Sequence, residues 1–158
     1  MNVDHFMSHD VRSCRTSDNL LDAAMVMWSR DCGFVPVTDE PNGPLAGVIT
    51  DRDICMAAAT KHRPIESIPV GEVMNRKPVT CMPTDDVRIA MERMAAAQVH
   101  RLPVVDRKGL LKGVVALNDL ILAAEDNEIR KQNTVSYADV VHVLKAVSAH
   151  RVPAAVAS

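Results

Sequence analysis

The chain has 158 residues, of which 47% are apolar and only 3% aromatic, so aliphatic side chains and methionine must build its core. Its formal net charge of −2 mixes both signs and offers no basic footprint for nucleic acid. No apolar run approaches the roughly 20 residues that span a bilayer, and the first ten residues do not read as a signal peptide. The four cysteines form no CxxC pair, which argues against a zinc ribbon or a secreted disulfide framework. We therefore predict a reduced, cytoplasmic protein without nucleic-acid or membrane partners.

An internal repeat organises the chain. The segment GFVPVTD, which ends at Asp39, matches HRLPVVD, which ends at Asp106, at an offset of 67 residues. The same offset aligns further pairs: Met7 with Met74, Cys14 with Cys81, Asp18 with Asp85, Ala23 with Ala90, and Met27 with Met94. After the next loop the offset falls to 66 and aligns Asp53 with Asp119. A single deletion in a loop, where length changes are tolerated, explains the difference.

Each copy is predicted to fold as a β-α-β-β-α unit. A short extended piece (VRSC, then VTCM) precedes an amphipathic helix whose N-cap candidate is Ser17 or Thr84. Two β-rich runs follow, separated by the turn-forming segments DEPNGP or DRKG, and an Ala-rich helix closes the unit. Repeat 1 spans 1–60, a proline-containing linker 61–73, and repeat 2 74–125. The fold class is α/β (α+β), with the two repeats packed about a pseudo-twofold axis.

The C-terminal tail, residues 126–158, is predicted to carry an amphipathic helix at about 136–149. Ser136 and Asp139 have the spacing of a capping box at its start. An apolar stripe of Val140, Val143 or Leu144, and Val147 needs a partner, either the body of this chain or another copy. The last eight residues, RVPAAVAS, are predicted to fray.

The tandem unit, with its hPVVD and GVITxxD motifs, resembles the CBS domain pair, also called a Bateman module. The resemblance covers residues 1 to about 125. QVHRLPVVDRKGLLKGVVALNDL is similar to a stretch of the γ subunit of AMP-activated protein kinase. VITDRDI and VVHVLKAVSAH are similar to stand-alone bacterial CBS proteins of the hypoxic response protein type. The resemblance implies a regulatory module that binds adenosine-containing ligands in clefts between the repeats and assembles into a homodimer through its helices.

Thr50 and Asp53 have two interpretations. As a capping box, the hydroxyl would accept from a backbone amide of the helix and the acid would lie in its first turn. As a ligand site, the carboxylate would accept two hydroxyl donors from a ribose diol. The second copy retains Asp119 but has Ala116 in place of the hydroxyl, which favours the ribose interpretation. The resemblance implies the same ribose contact, and one aspartate can serve both purposes.

His100 and Arg101 directly precede LPVVD in the second copy. They are either a solvent-exposed pair at a strand edge or a phosphate-binding pair of imidazole and planar guanidinium. The first copy has Gly33 and Phe34 at these positions, without charge. One cleft is therefore expected to be better equipped for phosphate than the other.

The resemblance implies two clefts, each built from both copies. The Asp53 cleft would use Thr50, Arg52, Asp53, Val79, Val99 and His100, with the two valines against the base. The Asp119 cleft would use Asn118, Asp119, His100 and Arg101, with Arg12, Cys32, Gly33 and Phe34 opposite. Ala116 departs from the family pattern and removes a hydrogen bond worth roughly 1 kcal/mol. We rank the Asp53 cleft first for ribose and the Asp119 cleft first for phosphate.

Three functions are compared. A nucleotide-sensing module would bind AMP, ADP or ATP ahead of S-adenosylmethionine or NAD, would need no resident cofactor, and would act on a protein target. A structural or redox-responsive dimerisation module would leave the clefts empty, with Cys14 and Cys81 as redox candidates unless they are buried. An enzyme needs a nucleophile with a neighbouring base, a P-loop or a metal set, and the sequence shows none of these convincingly. We predict the first function and no catalysis.

Overall fold

The computed structural model of the protein describes residues 1–124 and 135–149. The elements of repeat 1 are α1 (Leu20–Ser29), β1 (Phe34–Thr38), β2 (Leu45–Thr50) and α2 (Asp51–Thr60). Those of repeat 2 are α3 (Val87–Ala97), β3 (Arg101–Val105), β4 (Leu111–Ala116) and α4 (Leu117–Leu122), followed by α5 (Tyr137–Ser148). Short 3-10 turns lie at Val3–His5, Ile65–Ser67 and Val70–Glu72. The mixed α/β class, the duplication and the C-terminal helix are confirmed.

The two repeats have the same sheet register. β1 and β2 pair antiparallel with Phe34 opposite Thr50, and β3 and β4 pair with Arg101 opposite Ala116. Both hairpins carry an irregularity at the same place, after Val37 and after Val104. The hairpin loops also join across the pseudo-twofold axis through backbone hydrogen bonds between repeats. The structure therefore confirms two like units packed about that axis.

The segment that leads into each repeat pairs with the sheet of the other repeat. Ser8 and Val114 exchange backbone hydrogen bonds of 2.9 and 3.1 Å, and Asn75 and Val48 exchange bonds of 2.8 and 3.0 Å. Gly113 permits this approach, because a Cβ there would lie 2.5 Å from the Ser8 carbonyl oxygen. The repeats are thereby interlocked through backbone as well as side chains.

The short extended piece that begins each unit pairs with the sheet through one bridge and does not form a full strand. VRSC and VTCM each make only a single parallel bridge, Cys14 with Val37 and Cys81 with Val104. Each sheet thus has two full strands and one bridge at either edge. The physical reason is that each leading segment turns away after one pair of hydrogen bonds to reach its helix.

The helix caps lie two residues beyond the predicted positions. Asn19 caps α1, where its side chain accepts from the Asp22 amide at 2.9 Å, and Asp86 caps α3, where it accepts from the Arg88 amide at 3.0 Å. The predicted caps Ser17 and Thr84 belong to the turns before the helices. Each segment has several polar residues in succession, and more than one of them could cap the helix. The chain uses the earlier residues, Ser17 and Thr84 among them, to form a turn.

Two apolar clusters form the core; each is centred on one repeat and includes residues of the segment that leads into the other. The helix α5 packs on α3 and α4 of its own chain through Val140, Val143 and Val147, which are buried. Of the two residues predicted as alternatives for the middle of the apolar stripe, Val143 is buried and Leu144 is exposed. The spacing of methionines in α1 predicts that Met25 and Met27 fill the core; Met27 is buried, but for Met25 the prediction is wrong, because its side chain is 55% exposed. The predicted frayed end lies outside the described residues.

No helix in the described ranges combines the length and apolar character needed to cross a bilayer.

The cysteines differ sharply in environment. Cys14 and Cys81 are buried, and burial raises the pKa of each thiol to about 12, with the nearby carboxylates of Asp18 and Asp85 adding to the effect. Cys55 is exposed and Cys32 is half-buried. Because the thiolate is the reactive form, Cys14 and Cys81 are unsuited to redox sensing in the folded protein.

We expect a thiol-specific chromogenic reagent at pH 8 to modify Cys55 rapidly and Cys14 and Cys81 only after unfolding. Cys55→Ser should remove the fast phase, whereas Cys14→Ser should leave it unchanged. Since the folded thiols keep their protons above the ordinary pKa of 9.0, the free energy of unfolding should fall as the pH rises from about 9 towards 12. Rapid labelling of four thiols in the native protein would contradict this assignment.

Candidate functional site

A cavity of about 390 Å³ lies between the two repeats on the Asp119 side. Residues of both repeats line it: Ser8, Asp10, Val11, Arg12, Val26, Arg30, Asp31, Cys32, Phe34, Arg101, Val114, Ala116, Asn118 and Asp119. Its volume lies within the range of small-molecule sites, roughly 300–1,000 Å³. Apolar and charged side chains share the walls, so the cavity can accommodate a ligand with an apolar ring and an ionised group.

Three arginines line this cavity. Arg30 is paired with Asp10 at 3.0 Å. Arg12 and Arg101 form no ion pair within 1–124 and 135–149, so their guanidinium groups are available to an anion. A planar guanidinium binds phosphate oxygens through two parallel hydrogen bonds, which makes these two side chains the cationic part of the site.

Asp119 lies at the start of α4. The Ala116 amide donates to its Oδ2 at 2.9 Å, which is the backbone half of a capping box. Ala116 has no side-chain acceptor, so the other half is missing. The antiparallel register places Arg101 directly opposite Ala116, which brings the arginine and the aspartate to the same end of the hairpin. Arg101 and Asp119 thus lie on the cavity wall together.

Asp53 forms the complete capping box that the sequence predicted. Its Oδ2 accepts from the Thr50 amide at 2.9 Å and from the Thr50 hydroxyl at 2.7 Å, while the Asp53 amide donates to that hydroxyl at 3.2 Å. Ser136 and Asp139 repeat the arrangement at α5, with 3.1, 2.7 and 3.2 Å. Capping therefore accounts for the position of these aspartates. In Asp53, capping engages Oδ2 and leaves Oδ1 for another donor.

The remaining predicted residues are distributed as follows. Arg12, Cys32, Phe34, Arg101, Asn118 and Asp119 are brought together on the cavity wall. Gly33 lies in an adjoining groove with Cys32 and Arg101. His100 is exposed and is not part of the cavity wall; its carbonyl accepts from the Leu117 amide at 2.8 Å. Arg52 and Val79 are exposed, and Val99 is half-buried.

The pseudo-twofold axis relates the cavity to the cleft beside Asp53, and the related positions differ in charge. The repeat offset aligns Arg12 with Val79 and Arg30 with Ala97. The Asp53 side thus has two apolar residues where the Asp119 side has two cations, but it has Lys77 and Arg52 where the Asp119 side has Asp10 and Asn118. The two sides therefore differ in where their charges lie, and the phosphate preference of the Asp119 cleft stays a prediction.

Sequence reasoning missed Arg30, Asp31 and Asp10. Asp31 has a positive φ of 48°, which ends α1 and turns the chain towards the cavity. Gln98 at the equivalent position has φ 52°. The repeat alignment could have found Arg30, because it is a cation aligned with an alanine. Nothing in the sequence indicated that it would pair with Asp10.

The residues described include no group of three or more His, Cys, Asp or Glu side chains suited to hold a metal ion.

The fold and the cavity together define a tandem-repeat module with a site between its repeats. The CBS domain family profile matches the chain twice, over residues 3–60 and 70–126, and the chain belongs to this family. An uncharacterised protein of Bacillus subtilis (strain 168), YlbB, is 33% identical over 126 residues, which cover 80% of this chain and 84% of that protein.

Solved structures with this fold include CBS domain pairs with ligands. The pair of protein MJ0100, in complex with 5′-methylthioadenosine and S-adenosyl-L-methionine, is 24% identical with a TM-score of 0.69 and covers 77% of this chain and 98% of its own. CBSX2 in complex with AMP is 24% identical with a TM-score of 0.66, covering 77% and 94%. Hypoxic Response Protein I with two coordinated zinc ions is 22% identical with a TM-score of 0.70, covering 79% and 100%. The likeness to CBS pairs, including the hypoxic response type, is thereby confirmed at the level of fold.

Proposed function

We propose that the protein is a non-enzymatic regulatory module that binds an adenine nucleotide in the cavity beside Asp119. The observation that carries this proposal is a pair of arginines, Arg12 and Arg101, that form no ion pair with any described residue and lie on the wall of a cavity that also includes Asp119. AMP, ADP and ATP combine the three chemical features that these walls match: an apolar ring, a diol and an anion. The module would act in the cytoplasm on a protein target.

The electrostatics of the cavity select among adenosine-containing ligands. Phosphate groups would accept from Arg12 and Arg101, and Arg30 would need to leave Asp10 to take part. S-adenosylmethionine carries a sulfonium cation where the nucleotides carry phosphate, and it has only one carboxylate for the arginines to bind, so we expect it to bind more weakly. The ligands reported for the MJ0100 pair and CBSX2 support the adenosine class. Within that class, the two arginines favour the ligands that carry phosphate, which are the nucleotides.

The ribose would be held by the part of Asp119 that capping does not use. Oδ2 is engaged by the Ala116 amide, and Oδ1 can accept from a ribose hydroxyl without disturbing the helix start. Phe34, Val11 and Val26 provide apolar surface for the base. A ligand held this way touches both repeats, so its binding favours one arrangement of the repeats over others.

The alternative is a dimerisation module without a nucleotide. Burial of Cys14 and Cys81 argues against its redox-responsive form at those residues. Thermal unfolding and calorimetry with ATP, AMP, adenosine and S-adenosylmethionine separate the two functions. A ligand that binds only the folded state adds about 2.7 kcal/mol at 100 times its Kd. At roughly 2–4 °C per kcal/mol, ATP or AMP should raise Tm by roughly 5–11 °C.

Arg101→Ala tests whether this guanidinium binds the phosphate of the ligand. It should weaken ATP and AMP roughly ten- to a hundred-fold while changing adenosine affinity little, because adenosine lacks the group that the guanidinium binds. Lys108→Ala, an exposed cation on a hairpin turn, should leave every affinity unchanged. If no adenosine-containing ligand raises Tm, the dimerisation module is the better description. If S-adenosylmethionine alone binds, the arginines are not phosphate ligands.

A further inference from the structure

The ion pair between Arg30 and Asp10 is part of the wall of the cavity beside Asp119. Nη1 of Arg30 donates to Oδ2 of Asp10 at 3.0 Å. The side chain of Asp10 is 87% exposed and that of Arg30 is 41% exposed, so the carboxylate is the more solvent-facing member of the pair. When the pair opens, the carboxylate can remain in water while the guanidinium stays at the cavity.

The backbone holds the two members of this pair on different segments. Ser8 exchanges two hydrogen bonds with Val114 of β4, and Asp10 follows two residues later on the segment that leads into repeat 1. Arg30 is the C-cap of α1, where its amide donates to the Val26 carbonyl at 3.1 Å. The two side chains can therefore separate without any change in the segments that carry them.

The pair belongs to one cleft and not to the repeat fold in general. The offset of 67 residues aligns Asp10 with Lys77 and Arg30 with Ala97, which cannot form an ion pair with each other. Repeat 2 thus attains the same fold without this contact. An exposed ion pair also contributes little to stability, because solvent screens the charges and two long side chains lose freedom. Folding therefore does not account for the pair.

We propose that Asp10 is a specificity-determining residue, which retains Arg30 when the ligand carries little charge and releases it to nucleoside di- and triphosphates. This role rests on the proposed function, because it concerns the anionic end of the same ligand. The single phosphate of AMP is matched by Arg12 and Arg101, which form no ion pair with any described residue. ADP and ATP bring further phosphate oxygens, and these compete with the carboxylate of Asp10 for the Arg30 guanidinium.

The cavity therefore has two arrangements of positive charge. With the pair closed, Arg12 and Arg101 are the cations that face the ligand, and with the pair open Arg30 is a third. A ligand shifts such an equilibrium only by binding one arrangement more tightly than the other, and each added phosphate favours the open one. Adenosine, which has no phosphate, favours neither. The affinity should thus rise from AMP to ATP, and the ion pair should limit how steeply it rises.

Calorimetric titration of the full chain with adenosine, AMP and ATP, in buffer free of divalent metal, tests this role. Asp10→Asn removes the competing carboxylate, so it should tighten ATP binding at least roughly threefold and change adenosine affinity less than about twofold. Arg30→Gln should weaken ATP roughly tenfold and AMP much less, because it removes a charge-assisted hydrogen bond made only to the longer phosphate chain. Both side chains are exposed, so Tm without ligand should stay close to that of the parent.

A second exposed ion pair provides matched controls. Arg63 lies 3.1 Å from Glu72, and neither residue lines the cavity. Glu72→Gln changes the net charge as Asp10→Asn does, and Arg63→Gln changes it as Arg30→Gln does. Both control variants should bind ATP like the parent.

The double variant separates competition for Arg30 from simple repulsion of the ligand by Asp10. If Asp10 acts through Arg30, Asp10→Asn should tighten ATP binding in the parent but not in the Arg30→Gln background. An unchanged ATP affinity in Asp10→Asn, or a gain that persists fully without Arg30, would overturn the role of Asp10. If Arg101→Ala still weakens ATP in that case, the proposed nucleotide site stands. If neither ATP nor AMP binds the parent, the proposed function fails together with this role.

Discussion

Gly113→Ala should lower the free energy of unfolding by about 1–3 kcal/mol, the usual cost of forcing extra atoms into packed structure. A Cβ at this position would lie 2.5 Å from the Ser8 carbonyl oxygen, which is backbone and part of the bridge to Val114. Replacing glycine by alanine also stabilises by about 0.4–1 kcal/mol through the unfolded chain, but the clash outweighs it. Tm should therefore fall by roughly 2–12 °C. Differential scanning calorimetry measures both quantities.

Two glycines provide the comparison. Gly47→Ala should behave like Gly113→Ala, because its Cβ would lie 2.5 Å from the Asn75 carbonyl oxygen at the symmetry-related bridge. Gly109 has φ 77° and open space around its Cβ position. Asn tolerates this conformation, so Gly109→Asn should stay within about 0.5 kcal/mol of the parent. If Gly113→Ala melts with the parent, the leading segment does not need close approach and the interlocking of the repeats is looser than the geometry indicates.

Asp119→Asn should weaken nucleotide binding roughly ten- to a hundred-fold, the equivalent of one charge-assisted hydrogen bond at about 1.5–3 kcal/mol. Asp119 is the third residue of α4, and the Oδ1 of an asparagine there can still accept from the Ala116 amide. The lost charge near the helix start should cost about 0.3–1 kcal/mol, so folding should be nearly unchanged. Asp53→Asn applies the same change to the other cleft. Calorimetric titration of both variants assigns the occupied cleft, which we propose to be that of Asp119.

Asp139→Asn is the matched control for this experiment. Asp139 makes the same capping bonds with Ser136 but is not part of the cavity wall. It should bind nucleotide like the parent, because it does not line the cavity. If the Asp119 and Asp53 variants also bind like the parent and only melt earlier, these aspartates are caps, and the proposed nucleotide site has lost its ribose contact.

Local chemistry explains the elements that were predicted well. Thr50 with Asp53 and Ser136 with Asp139 were recognised as capping boxes, because the donor and acceptor of each box lie three residues apart in the chain. The N-caps of α1 and α3 were misplaced because a run of polar residues, including Ser17 and Asn19, offers several caps of similar energy. Packing of the helix on its own core then decides which one is used.

The residues of the clefts were predicted only in part, because some of them reach the cavity wall only when distant segments pack together. The repeat and the family resemblance named Arg12, Cys32, Phe34, Arg101, Asn118 and Asp119, and the fold assembles these around one cavity. Arg30 was missed, because its place on the wall depends on the left-handed turn at Asp31 that follows it. The ion pair between Arg30 and Asp10 joins residues twenty positions apart and has no signature in either segment.

The sequence by itself determined the duplication, the secondary-structure order within each repeat and the amphipathic C-terminal helix. These depend on residue type, spacing and periodicity, which are local quantities. Only the tertiary structure decided that each leading segment bonds to the opposite sheet and that α5 packs on its own repeat 2. Those outcomes depend on which distant surfaces meet. An extended segment can hydrogen-bond to more than one sheet edge, and an apolar helix face can be buried on more than one surface. The packing of the whole chain selects one partner for each.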